Sequence, residues 1–135
     1  MKKLIAVMAL LLPFGLTCMA KSKSVTIKIV QTSDVHGSFF PYDYINRRPM
    51  VGSMARVSSY VKQLREQHGD NVILLDNGDI LQGQPISYYS NYIDTTSENI
   101  AASVVNYLKY DAQTIGNHDV EPGHEVYDKW IKEVK

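Results

Sequence analysis

Three short clusters in this sequence carry side chains that bind cations or move protons: Asp34-x-His36, Gly78-Asp79 and Gly116-Asn117-His118-Asp119. Carboxylate, amide and imidazole groups are donors to divalent metals, and carboxylate and imidazole also do acid–base work. Each cluster alone is a weak signal. An Asp-x-His tripeptide arises often by chance, and Asp, Asn and Gly are the residues a turn selects for its own reasons. Their joint occurrence carries more, because each follows directly on a stretch that reads as a buried strand. His68 and His124 have no such setting and read as solvated surface histidines, His68 in the last turn of a helix where positive charge is tolerated.

The elements that must position these clusters are legible from periodicity. Val25, Ile27 and Ile29 alternate with Thr26 and Lys28 and run into Val30, which predicts a strand ending near Ser33. Met54, Val57, Val61 and Leu64 recur at helical spacing, predicting a helix from about Ser53, its N-cap, to Gln67, with Gly69 placed to end it. The branched run Val72-Ile73-Leu74-Leu75 predicts a parallel strand buried on both faces. Ile100, Val104 and Leu108 mark a second helix capped by Thr96 or Ser97. Ala112 to Ile115 reads as a third strand, and His124 to Lys135 as a last helix carrying Val126, Trp130 and Val134 on one face.

A β-α-β-α-β-α order is that of an α/β domain with parallel strands, because parallel neighbours need crossover connections. In such sheets ligands bind outside the carboxyl ends of the strands, so the three clusters are expected to converge on one crevice.

With those residues placed, Asp34-x-His36, Gly78-Asp79 and Gly116-Asn117-His118-Asp119 resemble the first three blocks of the calcineurin-like metallophosphoesterases, over about Val25 to the end of the chain. The longer stretch Leu74-Leu75-Asp76-Asn77-Gly78-Asp79-x-x-Gln82-Gly83-x-Pro85 resembles the bacterial 5'-nucleotidase and 2',3'-cyclic-nucleotide phosphodiesterase/3'-nucleotidase group. The resemblance implies the N-terminal half of a layered metallophosphatase domain. It implies two divalent ions, with Asp34 and His36 on the first, Asp79 bridging both and Asn117 on the second. Manganese, zinc and iron all suit an oxygen and imidazole set without thiolate. His118 is then free to stabilise charge on phosphoryl oxygens or protonate the leaving alkoxide, with Asp119 or Glu121 orienting its ring. In the nucleotidase group that partner is usually an Asp three positions after the His; here Glu121 stands there. Exposed loop carboxylates near a helix start are an equally good reading of both acids.

The family's downstream histidine blocks and its C-terminal nucleoside-binding domain do not appear in these 135 residues, so the domain is expected to be incomplete and the fragment inactive by itself. The expected substrate is a small nucleotide, hydrolysed by metal-activated water. Another phosphoester substrate, or a non-enzymatic exported α/β binding module, are the alternatives. Tyr42, Tyr44, Tyr88, Tyr89 and Tyr92 could stack on a base but more commonly pack. Arg47 and Arg48 could steer a phosphate, although paired loop arginines are usually solvated.

Lys plus Arg and Asp plus Glu both number 14, which gives no electrostatic reason to expect a nucleic-acid polymer. At the start, Lys2 and Lys3 precede the apolar run Leu4 to Leu12 and the break Pro13-Phe14-Gly15, the layout of a secretory signal over residues 1–20. The run is too short to span a bilayer, so no transmembrane segment is expected. Cleavage after Ala20 would leave residues 21–135 without cysteine, in the periplasm or at the cell surface. Cys18, the sole cysteine, is an alternative lipid anchor behind a poor lipoprotein box.

Overall fold

The computed structural model describes residues 22–135. The signal segment and Cys18 lie outside the described residues. Strands β1 (Lys28–Thr32), β4 (Val72–Asp76) and β5 (Ala112–Gln113) form a parallel sheet in the order β1-β4-β5. Lys28 to Thr32 pair in register with Val72 to Asp76, and Leu75 and Asp76 pair with Ala112 and Gln113. Helix α1 (Met54–His68) crosses from β1 to β4. Helix α2 (Pro85–Tyr88) runs into a π-helical turn (Tyr89–Ile93), and helix α3 (Ile100–Leu108) leads to β5. Helix α4 (His124–Glu133) follows.

Leu74 on β4 packs with Met54 and Val61 of α1, Ala101, Ala102, Val105 and Leu108 of α3, and Val126 and Trp130 of α4. The helical stripes are those expected from their spacing, because each apolar face has only this core against which to leave water. Gly69 ends α1 at φ 57°, where its N–H bonds to the Arg65 carbonyl at 2.9 Å. Arg65 in turn donates to the carbonyls of Leu108 and Lys109 at 2.6 and 2.8 Å, capping the C-terminus of α3 with its positive charge.

Four expectations need correction. Strand β4 is not buried on both faces: Val72, Leu74 and Asp76 are buried while Ile73 and Leu75 are half-buried. The first strand begins at Lys28, not Val25, and Val25, Ile27 and Ile29 are exposed, Ile29 to 67%, because the alternation turns Val30 and Thr32 toward the helices and no described element covers the opposite face. Helix α3 is capped by Asn99 rather than Thr96 or Ser97. The Asn99 side chain accepts from Ala101 N at 2.9 Å, whereas Ser97 N is already committed to Asp94 Oδ1 at 3.1 Å in a local turn. The third strand is only two residues long, continued by Thr114 N donating to the Asp76 carbonyl at 3.1 Å.

The segment between β1 and α1 contains a short hairpin of two-residue strands, β2 (Tyr42–Asp43) with β3 (Arg48–Pro49), that periodicity did not signal. Its turn is closed by Asp43, whose carboxylate accepts from Ile45 N and Asn46 N at 3.0 Å each and from the Asn46 side chain at 2.8 Å. Arg48 is exposed and lies 3.9 Å from Asp43.

Candidate metal centre

The loops after β1 and β4 continue to pair past the strand ends. Asp34 N donates to the Gly78 carbonyl at 3.1 Å and His36 N to the Asp79 carbonyl at 2.8 Å, so two loops far apart in sequence run side by side. This brings ligand-capable atoms of Asp34, His36 and Asp79 within 4.8 Å of one another. Asp34 is exposed, His36 half-buried and Asp79 buried. Two carboxylates and one imidazole at that separation form a hard and borderline donor set that fits a divalent metal, and two nearby carboxylates repel each other until a cation joins them.

The backbone at these residues is strained. Asp34, His36 and Asp79 have φ of 53°, 48° and 61°, in the left-handed region that residues with a Cβ seldom occupy. Strain of this kind persists only where the surroundings over-determine it, and it collects at functional sites.

The third loop supplies that over-determination. Asp119, fully buried, turns its carboxylate away from the imidazole of its neighbour and toward backbone amides. It accepts from Asp79 N at 2.7 Å, Ile80 N at 2.8 Å, Leu81 N at 2.9 Å and Gly116 N at 2.9 Å. Asp79 answers in the opposite direction, its Oδ1 accepting from His118 N at 2.8 Å. The two loops touch so closely that a Cβ on Gly116 would lie 2.1 Å from Asp79 Oδ1 and one on Gly78 would lie 2.4 Å from Gly116 N. Glycine is therefore a steric requirement at both positions.

His118 sits beside the cluster, its ring centroid 5.4 Å from that of His36 in an edge-on arrangement. Its Nδ1 lies 2.9 Å from Glu121 Oε1. An ionised carboxylate only accepts, so Nδ1 carries the proton in this pair and Nε2 is left as the free ring nitrogen. The hydrogen bond to Glu121 raises the His118 pKa above its ordinary value, aided by the charges of Glu121, Asp79 and Asp119. The hydrogen bonds from His118 and Gln82 hold Glu121 below the usual carboxylate value. Of the two acids considered for the ring, Glu121 makes the contact and Asp119 is engaged elsewhere. Asn117 is exposed and lies between Gly116 and His118, both of which touch Asp79; among the described residues its amide makes no hydrogen bond.

Sequence reasoning named Asp76 and Gln82 only within the nucleotidase-like stretch and gave neither a role. Asp76 is buried beneath the cluster and accepts from Thr32 Oγ1 at 2.6 Å, tying β1 to β4 at their carboxyl ends. Thr32 also pairs with the Tyr110 hydroxyl at 2.8 Å, and burial pushes that phenol up to about 12. An acid in an otherwise apolar strand was the available signal for Asp76. Gln82 donates to Glu121 Oε2 at 2.6 Å, a contact across loops that no local pattern announces. The remaining candidates stay apart: His124 is 82% exposed on its side chain and interacts only within α4, and the tyrosines form exposed pairs, Tyr42 with Tyr44 and Tyr88 with Tyr92, each at 5.1 Å. No helix among the described residues is long and apolar enough to cross a membrane.

Comparison with known proteins agrees with this geometry. The family model for calcineurin-like phosphoesterases matches residues 27–134. The chain is 36% identical over 115 residues to the trifunctional nucleotide phosphoesterase protein YfkN of Bacillus subtilis, covering 80% of this chain and 8% of that protein. It is 36% identical over 122 residues to a 2',3'-cyclic-nucleotide 2'-phosphodiesterase/3'-nucleotidase of Haemophilus influenzae, covering 87% of this chain and 18% of that protein. The crystal structure of the YfkN calcineurin-like phosphoesterase superposes with a TM-score of 0.73 at 34% identity, over 84% of this chain and 36% of that one. The chain thus spans less than a fifth of the two curated relatives, and matches them through the segment that holds the strand-end cluster. With its parallel strands, its Asp34–His36–Asp79 group and a family match over nearly all described residues, this chain belongs to the calcineurin-like phosphoesterase family.

Proposed function

We propose that the full-length protein carrying this chain is an exported, metal-dependent phosphoesterase that hydrolyses nucleotides, as a 5'-nucleotidase or a 2',3'-cyclic-nucleotide phosphodiesterase/3'-nucleotidase. The observation that carries the reading is the convergence of Asp34, His36 and Asp79 donors within 4.8 Å at the carboxyl ends of parallel strands, with the His118 ring alongside. The names of the relatives point to nucleotides as the substrate class.

In this reading Asp34, His36 and Asp79 would hold one divalent ion, and Asp79 together with Asn117 would hold a second. When bound, such a pair supplies an activated water and charge compensation for the phosphoryl oxygens. Manganese, zinc or iron would serve. The chain's own work is positional and acid–base. Asp119 and Asp79 lock the second and third loops together, so the donors are arranged before any ligand arrives. His118, its Nδ1–H taken by Glu121, would donate from Nε2 only as the doubly protonated ring, the form the Glu121 bond favours, giving a hydrogen bond to a phosphoryl oxygen or a proton to the leaving alkoxide. Export rests on the Lys2-Lys3 and Leu4 to Leu12 pattern; the N-terminal sequence of the mature protein checks it.

The test is phosphate release by the full-length protein from 2',3'-cyclic, 3'- and 5'-nucleotides, before and after chelation and with each metal restored. Hydrolysis that disappears on chelation and returns with metal is the expected outcome. A full-length protein without stoichiometric metal, and inert toward all three nucleotide classes, refutes the reading.

A further inference from the structure

We infer that Gln82 is a positioning residue for His118, acting through Glu121; this rests on the phosphoesterase reading above. Glu121 has two carboxylate oxygens and both are used: Oε1 lies 2.9 Å from His118 Nδ1, and Oε2 accepts from Gln82 Nε2 at 2.6 Å. A glutamate on an exposed loop, with its side chain 52% exposed, is ordinarily free to sample its rotamers in water, and a single contact to an imidazole would hold it poorly. The second contact removes that freedom by fixing the carboxylate at both ends.

Gln82 can do this because its own backbone is anchored on both sides. Immediately before it, Ile80 N and Leu81 N donate to the buried Asp119 carboxylate, and the Leu81 carbonyl accepts from the buried Asn91 amide at 2.7 Å. Immediately after it, Gly83 packs so tightly on His36 that a Cβ there would sit 2.4 Å from the His36 carbonyl oxygen, and Gln84 N donates to that same oxygen at 3.1 Å. Asp119 is bonded to Gly116 N as well, so the loop carrying Gln82 and the loop carrying His118 and Glu121 are already fixed to each other. The Gln82–Glu121 contact therefore spans two surfaces that do not drift, and Gln82, Glu121 and His118 form one hydrogen-bonded line leading to the ring. The acceptor being a carboxylate, Gln82 must present its NH₂ group rather than its carbonyl, which also fixes the orientation of the amide.

The experiment is a double-mutant cycle on the full-length protein with Gln82→Ala, Glu121→Ala and the pair, reading kcat and KM on a nucleotide, metal content, and the His118 ring ¹⁵N shifts. Gln82→Ala is expected to lower kcat roughly five-fold, the effect of one lost hydrogen bond, with KM and metal content unchanged. In the Glu121→Ala background it should add nothing, because its only route to the ring is gone. The ring spectrum should move from the Nδ1-protonated form toward a tautomer mixture in both single variants, a readout independent of turnover. Gln82→Glu, which repels Glu121, should be at least as impaired as Gln82→Ala. Additive losses of kcat, or a His118 spectrum unchanged by Gln82→Ala, overturn the inference. An inert wild type whose ring spectrum nevertheless responds to Gln82→Ala overturns the phosphoesterase reading while leaving the hydrogen-bonded line in place.

Discussion

The buried carboxylate of Asp119 accepts the backbone N–H of Asp79 at 2.7 Å, joining positions forty residues apart. The same carboxylate takes three further amides, two of them from the loop that Asp79 begins. Buried donors that lose their acceptor each cost about 1–3 kcal/mol. Asp119→Ala should therefore destabilise the full-length protein by roughly 3 kcal/mol or more, and reduce metal affinity because Asp79 is no longer held. Urea unfolding measures the first effect and metal titration the second; a loss under about 1 kcal/mol would show that the four amides find other acceptors when Asp119 is gone.

The His118–Glu121 pair makes a prediction about pH. His118 has its pKa raised chiefly by the hydrogen bond to Glu121, so its stabilising contribution is complete below the ordinary histidine value of 6.5 and fades as pH rises through the folded value. Glu121 has its pKa lowered chiefly by the same bond, so its contribution is present above the ordinary glutamate value of 4.5 and fades as pH falls through the folded value. The pair is thus fully made between those two ordinary values. NMR titration of the metal-free protein should find His118 shifted down by Glu121→Gln; an unmoved His118 would separate the two residues.

Gly116→Ala tests the close approach of the second and third loops. A Cβ placed 2.1 Å from Asp79 Oδ1 and 2.5 Å from Asp79 N cannot be accommodated without moving the carboxylate. Metal content should fall sharply while helical circular dichroism is retained, since the helices share no atoms with this contact. Wild-type metal stoichiometry in Gly116→Ala would mean the loop relaxes at little cost.

Removing the cation should reveal the strain at Asp34, His36 and Asp79. A metal that binds only the folded state stabilises it by mass action, about 2.7 kcal/mol at a hundred-fold excess over Kd. Chelation should lower the thermal midpoint of the wild type, and Asp79→Asn should abolish that shift and lower turnover by roughly a hundred-fold, the upper end of the losses that follow when a group supporting a metal site is removed. An identical midpoint with and without chelator would argue that the cluster holds nothing.

How much of this was legible beforehand depended on whether a feature is local. The three clusters and their placement at strand ends could be read because period-two and period-3.6 patterns mark where an apolar run stops, and the chain is parallel enough in topology to bring such ends together. That order places Asp34, His36 and Asp79 at the same end of the sheet; their approach to within 4.8 Å also needs the backbone bonds that join the first two loops. Which acid serves His118 does not follow from that order. Asp119 and Glu121 are one and three residues from the ring, equally plausible by sequence, and only folding turns Asp119 inward onto amides of a loop forty positions away while leaving Glu121 at the surface beside the imidazole. The outward face of β1, the Asn99 cap and the Gln82 contact belong to the same class. Each is decided by which partner arrives across the chain, and a hydrogen-bond acceptor or an uncovered strand face has no periodicity of its own to announce it.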